Sequence, residues 1–403
     1  MTRISFLLPT FNRAAYIAES IHAVRAQMGP ADELLVIDDG STDDTPAIVA
    51  GIVGVGYVRQ DNAGKSVALN RGMARTDGEF VMICDDDDVL RPDTVAPLLA
   101  TLETRNAGFA FGRYSRFTTD ASGKWNDLGT GYWPDLGSGS LVRHILEDAF
   151  VMQNAALVRR SAYEKVGPFD ETMLRSLDYE MFVRLALAVP AAYLDRYIFD
   201  QRKHEGARGP ASALHAASAS DQVWREWDRR IFGTLHARLP IQGYEGLLEG
   251  SEPLVLRRAA LLQRACINAR HDLWEGAVDD LEAAAAAAQG TPLTAVEVEI
   301  AGRILNGKHG FPGAFAPEIL PRLKALATQR EIGRQVVEAM IAGALWQLKS
   351  RVPGEAAALR RLTTDLVGPA RTAWLLVRRK LGLGKPSAGS VCERNAALLP
   401  DAG

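Results

Sequence analysis

Short apolar runs alternate with stretches of helical period over roughly the first two hundred residues. That alternation restricts this part of the chain to an α/β fold with a largely parallel sheet. Ile4 to Leu8 predicts a buried strand closed by Pro9, and Ile17, Ile21, Val24 and Met28 then recur at helical spacing. Glu33 to Ile37 predicts a second strand that ends in Asp38-Asp39-Gly40-Ser41. Further strands are expected at Val55–Arg59, Phe80–Cys84, Phe109–Phe117, Ala155–Arg159 and Ala191–Phe199. Helices are expected after Thr45-Pro46, over Ser66–Ala74, after Pro92, and through Leu177, Met181, Leu185 and Ala188. Residues 118–140, rich in Gly, Ser, Asp and Trp, predict a long loop or hairpin.

From about residue 213 the chain becomes rich in Ala, Leu and Arg and poor in β-branched residues, so helices are expected. The expected division is an α/β domain over 1–212, a helical domain over 213–385 and a disordered tail over 386–403. A hydrophobic content of 47% is ample for packed cores, and a net charge of -3 gives no footprint for nucleic acid. Cys84, Cys266 and Cys392 lie far apart with no CxxC pair, which argues against a disulfide scaffold and fits a reducing compartment. No run approaches the roughly 18–20 apolar residues of a membrane span, and the opening residues lack the form of a signal peptide. A cytoplasmic location is therefore expected.

Carboxylates gather at two strand ends, Asp38-Asp39 at one and Asp85 to Asp88 at the other. In a parallel sheet the carboxyl ends of the strands share one edge, where ligands bind. Four adjacent aspartates repel one another, and a hard divalent cation with oxygen ligands is a natural compensation. Magnesium or manganese would also take substrate phosphates as ligands. An acidic loop capping the next helix is the plainer alternative.

At these residues the chain resembles family 2 glycosyltransferases. The resemblance is carried by Ser5–Arg13, by Glu33–Thr45 (ELLVIDDGSTDDT), by Asn62–Lys65 with Asn70–Gly72, and by Cys84–Leu90 followed by Pro92. Gly167–Glu171, Asp178–Glu180 and His204–Gly206 follow in the family's order, so it spans roughly residues 3 to 210. It implies a GT-A fold, that is, a Rossmann-like mixed and mostly parallel sheet flanked by helices, here followed by the helical C-terminal region. It also implies a metal-dependent, inverting transferase that uses a nucleotide sugar, with UDP as the expected nucleotide. The acceptor would be a hydroxyl on a glycan, a lipid-linked molecule or a protein, in the making of surface polysaccharide.

The resemblance implies roles residue by residue. Asp39 would bind the base, with Pro9, Thr10, Asn12 and Arg13 near base and ribose. Asp85 would face ribose or sugar, Asp86 fills the variable place beside it, and Lys65 stands near the nucleotide. Asp87 and His204 would hold Mn²⁺ or Mg²⁺, and Arg202, Lys203 and Arg208 would add positive charge beside the phosphates. Asp178 resembles the catalytic base. Inverting transfer needs one carboxylate to take the acceptor's proton, and the metal relieves the leaving diphosphate of charge. Leu177 stands where the family commonly has an acidic residue, so Glu180 is a rival base. Ser176 could instead cap a helix in which Asp178 is an ordinary early carboxylate.

Three further features stay open in the sequence. Trp125, Tyr132 and Trp133 suit either a sugar-stacking surface or a satellite core. Trp374–Leu381 joins apolar bulk to a basic cluster, which suits a peripheral contact with the inner face of the plasma membrane or a packed helix. A non-catalytic nucleotide-sugar-binding or scaffold protein of the same fold and a metal-dependent nucleotidyltransferase are the rival functions. The region after residue 213 carries none of the family's motifs and is expected to lie outside the nucleotide site.

Overall fold

The computed structural model describes residues 3–120, 122–137, 139–204, 220–288, 290–350, 352, 354–380 and 390–393. The expected boundary near 212 falls outside the described residues. Two compact units divide the chain: residues 1–135 with 149–224, and residues 136–148 with 225–403.

The first unit is built on one mixed sheet with the strands β1 (Ile4–Thr10), β2 (Glu33–Asp38), β3 (Gly56–Arg59), β4 (Phe80–Ile83), β5 (Val89–Leu90), β6 (Phe109–Thr119), β7 (Trp125–Thr130), β8 (Ala156–Arg159) and β9 (Ala191–Arg202). Their order is β3-β2-β1-β4-β8-β6-β9-β5, with β7 added to β6 as the antiparallel arm of a hairpin. β3, β2, β1 and β4 run parallel, as do β6 and β9, while β8 lies antiparallel between β4 and β6. This is the expected α/β arrangement. β1 and β4 are buried along their whole length, which is why they read as unbroken apolar runs. Helices Ile17–Arg25 and Val95–Thr104 bury Ile17, Ile21, Val24, Leu98 and Leu102 in the same core as Phe6, Leu8, Val36, Phe80 and Met82.

Register places the functional segments. Thr10 of β1 pairs with Asp38 of β2, and the Asp39 amide donates to the Thr10 carbonyl at 2.9 Å. Leu7 pairs with Ile83 of β4, so the Cys84–Asp88 turn leaves from the same edge. The two acidic segments thus end on the neighbours of one central strand.

In the second unit, helix Pro253–Arg270 packs on helix Trp274–Ala286, and helix Ala295–Arg303 on helix Glu331–Ala344. Arg258 and Glu297 are fully buried and pair in bidentate fashion at 2.6 and 2.8 Å. Part of the expected disordered tail is ordered. Val391–Glu393 pairs antiparallel with Leu248–Gly250, and Glu393 binds Arg143 at 3.0 Å and Arg303 at 2.8 Å. Near the C-terminus, Trp374, Leu376 and Val377 are exposed while Leu375 is buried. No described helix is long and apolar enough to cross a membrane.

Candidate functional site

Asp39 organises one wall of the site. Its carboxylate accepts from the Gln60 side chain, the Ala63 amide and the Gly64 amide, each at 2.8 Å, and from Asn62 Nδ2 at 3.2 Å. Four donors fill the lone pairs a carboxylate offers in its plane. Gly40 makes the turn possible: its φ is +85°, and a Cβ there would fall 2.9 Å from the Asn62 amide. Asn12 is also committed locally. Its backbone is left-handed (φ 53°), its amide donates to Ser41 Oγ at 2.9 Å, and its Oδ1 accepts from the Thr42 amide at 2.7 Å. Pro9, Thr10 and Arg13 stand beside it along the same edge.

The four aspartates divide by partner. Asp85 pairs with Lys65 and accepts from Gln153 Nε2 at 3.0 Å, while its amide donates to Asn154 Oδ1 at 3.0 Å. Asp86 lies 3.5 Å from Arg13 and accepts from the Phe11 amide at 3.3 Å. Burial, helped by Asp87 and Asp85 and opposed by Arg13, pushes the Asp86 carboxyl up to about 7. Asp87 meets His204 Nε2 at 2.9 Å and Arg13 at 3.5 Å. Burial opposes its ionisation, but the His204 bond, Arg13 and Lys65 outweigh burial and hold its carboxyl below the ordinary value. Asp88 is turned inward, accepting from Asn154 Nδ2 at 2.7 Å and the Arg202 amide at 2.9 Å. Burial and the adjacent carboxylates raise it well above its ordinary value.

Arg202 secures this turn from β9. Its Nε donates to the Asp87 carbonyl at 3.0 Å, its guanidinium also reaches Glu19 and Thr119, and it lies 4.9 Å from the Tyr16 ring centre and 4.5 Å from that of Phe117. Its charge is thus shared with Glu19 and ring faces, and Arg202 also lines the cleft. Arg208, expected beside it, lies outside the described residues.

Asp178 is the second residue of helix Leu177–Ala188 and is half-buried. Burial raises its carboxyl, and the Lys65 ammonium pulls the other way without cancelling the effect. Among the described residues no side chain hydrogen-bonds it. Ser176 is left-handed (φ 51°) and makes no side-chain cap, which removes the N-cap role the sequence leaves open. Glu180 points elsewhere, held by Arg184 in two bonds of 2.7 Å.

These residues line one cleft of about 580 Å³ that contains Pro9, Thr10, Asn12, Arg13, Asp39, Lys65, Asp85 to Asp88 and Asp178. All belong to the first unit. Among the described residues no group of three or more His, Cys, Asp or Glu has the geometry of a metal cage. Asp87 and His204 nevertheless bring one oxygen and one nitrogen donor together at 2.9 Å. Two protein donors suit a cation that completes its shell with waters and phosphate oxygens.

Three participants escape sequence reasoning. Gln153 and Asn154, which brace Asp85 and Asp88, come from a short turn before β8 and carry no motif. Trp224 lines the cleft although it lies beyond the expected domain limit. Of the aromatic trio, Trp133 is half-buried and packs against Phe150 at 5.2 Å and Tyr193 at 5.4 Å. Trp125 stacks on Phe117 at 3.9 Å with 41% of its surface exposed, and Tyr132 is 52% exposed.

The sheet and its flanking helices define a fold of the GT-A type. Residues 5–167 match the Glycosyl transferase family 2 model. An uncharacterized glycosyltransferase of Nostoc sp. is 26% identical over 285 residues, 68% of this chain and 86% of that one. Chondroitin synthase of Escherichia coli is 25% identical over 205 residues, 50% of this chain and 29% of the synthase. The chain spans about half or less of the length of other curated relatives it matches. In fold it is similar to TarS 1-349 of S. aureus, solved in complex with UDP-GlcNAc, at a TM-score of 0.51 and 16% identity over 86% of this chain and 93% of that one.

Proposed function

We propose that this protein is a metal-dependent, inverting glycosyltransferase that moves a sugar from a UDP sugar to a hydroxyl of a glycan, lipid-linked or protein acceptor. The observation that carries this is the meeting of Asp39, Asp85 to Asp88 and Asp178 in one cleft of a family 2 domain. The base lies along the wall of Pro9, Thr10, Asn12 and Arg13, and reaches Asp39 by displacing the Gln60 or Asn62 amide. Asp85, held by Lys65 and Gln153, faces ribose or sugar, with Asp86 beside it. Asp87 and His204 hold Mn²⁺ or Mg²⁺, which when bound neutralises charge on the leaving diphosphate. Arg13 adds a fixed positive charge near the same oxygens.

Asp178 performs the proton step. The acceptor oxygen bonds to the anomeric carbon, the bond from that carbon to the diphosphate oxygen breaks with its electrons going to the diphosphate, and the hydroxyl proton passes to Asp178 Oδ. Burial, which raises this carboxyl, makes it a better base once ionised. The chain's similarity to a polysaccharide synthase supports a role in surface polysaccharide. Such work would set the enzyme in the cytoplasm, with exposed Trp374, Leu376 and Val377 touching the inner face of the plasma membrane.

The test is a panel of nucleotide sugars, each offered with manganese to the purified chain. Slow release of nucleoside diphosphate from a UDP sugar is expected. Tight UDP binding with no turnover of any donor would instead make the protein a non-catalytic binder.

A further inference from the structure

We propose that Trp224, together with the wall from Met173 to Leu177, forms a subsite for the apolar face of a pyranose ring, so that the acceptor is itself a glycan. This rests on the glycosyltransferase reading above and narrows its acceptor. The lining of the cleft is of two chemical kinds. One part is charged, with Asp85 to Asp88, Lys65 and Arg13. The other is the segment Met173, Leu174, Arg175, Ser176, Leu177, which leads into Asp178. Apolar side chains thus adjoin the carboxylate that faces the acceptor hydroxyl.

Trp224 lines the same cleft and is 39% exposed. Other tryptophans are engaged differently: Trp125 is stacked on Phe117, half-buried Trp133 packs against Phe150, and Trp227 lies under Arg230. Among the described residues no ring and no guanidinium packs on Trp224. An indole that no described ring or guanidinium covers, in a cleft lined by carboxylates, keeps an apolar face in contact with water, at a cost that a ligand removes by covering it. A pyranose fits both demands. Its axial C–H bonds form an apolar face for the indole, and its rim of hydroxyls offers the nucleophile to Asp178. A serine or threonine hydroxyl on a peptide has no such face.

The experiment uses the full chain saturated with UDP and manganese. Methyl glucopyranoside and methyl N-acetylglucosaminide serve as probes, and binding is followed by saturation-transfer NMR. UDP affinity is measured in parallel by calorimetry. Trp224→Ala is expected to weaken pyranoside binding about tenfold, and Trp224→Phe only about twofold, because a ring face persists. UDP affinity should stay unchanged in both, which also shows that the variants are folded. Equal pyranoside binding by the unmutated chain and Trp224→Ala, or none by the unmutated chain, would overturn the subsite. Loss of UDP affinity in Trp224→Ala would overturn it too, by moving the indole to the donor. Failure of the unmutated chain to bind UDP at all would strike the glycosyltransferase reading instead.

Discussion

Replacing Asp178 by Asn separates a catalytic base from a helix-start carboxylate. The change keeps size and removes only the ability to take a proton and carry charge. Its structural cost is bounded by the surroundings. Asp178 sits in the first turn of its helix, where a carboxylate is worth about 0.3–1 kcal/mol through the helix dipole. Among the described residues no side chain hydrogen-bonds it, Glu180 remains in the same turn, and burial already opposes its charge. The melting temperature should therefore barely move. As the base, its loss should lower turnover by about 10²- to 10⁴-fold, or about 3–5 kcal/mol of barrier at 1.36 kcal/mol per decade. UDP affinity should hold, since the group faces the acceptor. The acid limb of the rate profile should lie above the ordinary carboxylate range, near pH 4, because burial raises this carboxyl and the rate needs it ionised. Turnover, UDP affinity and melting are measured together on Asp178→Asn and Glu180→Gln. Near-normal turnover in the first, with loss in the second, would refute the assignment despite the Glu180–Arg184 pairing.

Asp87→Ala should abolish the manganese-dependent part of UDP affinity in calorimetry, and undiminished affinity would remove Asp87 from the metal. Asn154→Ala deprives the Asp85 amide and Asp88 Oδ2 of partners, and should cost about 1–3 kcal/mol per orphaned group in urea unfolding. Glu147→Gln strips the buried carboxylate that faces Arg143, Arg270 and Arg303, and should destabilise the chain by about 3–5 kcal/mol. Burial works against Glu147's charge, yet those arginines hold its carboxyl far below the ordinary range. Its stabilisation is thus complete above the unfolded value of about 4.3 and is lost as pH falls toward the folded one. Thermal melts from pH 7 downward should show this loss, absent in Glu147→Gln.

What the sequence discloses about this molecule is what local chemistry can encode. β1 and β4 are legible because both faces are buried and the runs are unbroken, β2 because its apolar run is nearly so, and the carboxylates at the ends of β2 and β4 mark the ligand edge. The helix Leu141–Glu147 is not legible, because its charged residues look solvated and meet their partners, among them Gln263, Arg270, Arg303 and Glu393, far along the chain. β5 has two residues, too short for any period. Asp39, Asp87 and Asp178 are named by motif, but motif does not tell that Asp39 is already saturated by residues 60–64, or that Glu180 is claimed by Arg184. Gln153, Asn154 and Trp224 act through tertiary placement and leave no pattern to find.

Residues 136–148 leave the first unit, join the second and return. On the ribosome this short stretch is made long before its partners. Helix Leu141–Glu147 waits for Gln263 and Arg270, and then for Arg303, about 150 residues later. At 5–20 residues per second that is a wait of roughly 10–30 s. Through that interval Gln263, Arg270 and Arg303 are not yet present to meet Glu147. The order of synthesis therefore denies the N-terminal part an independent finish. A gene shortened to its catalytic motifs would inherit that unfinished state permanently.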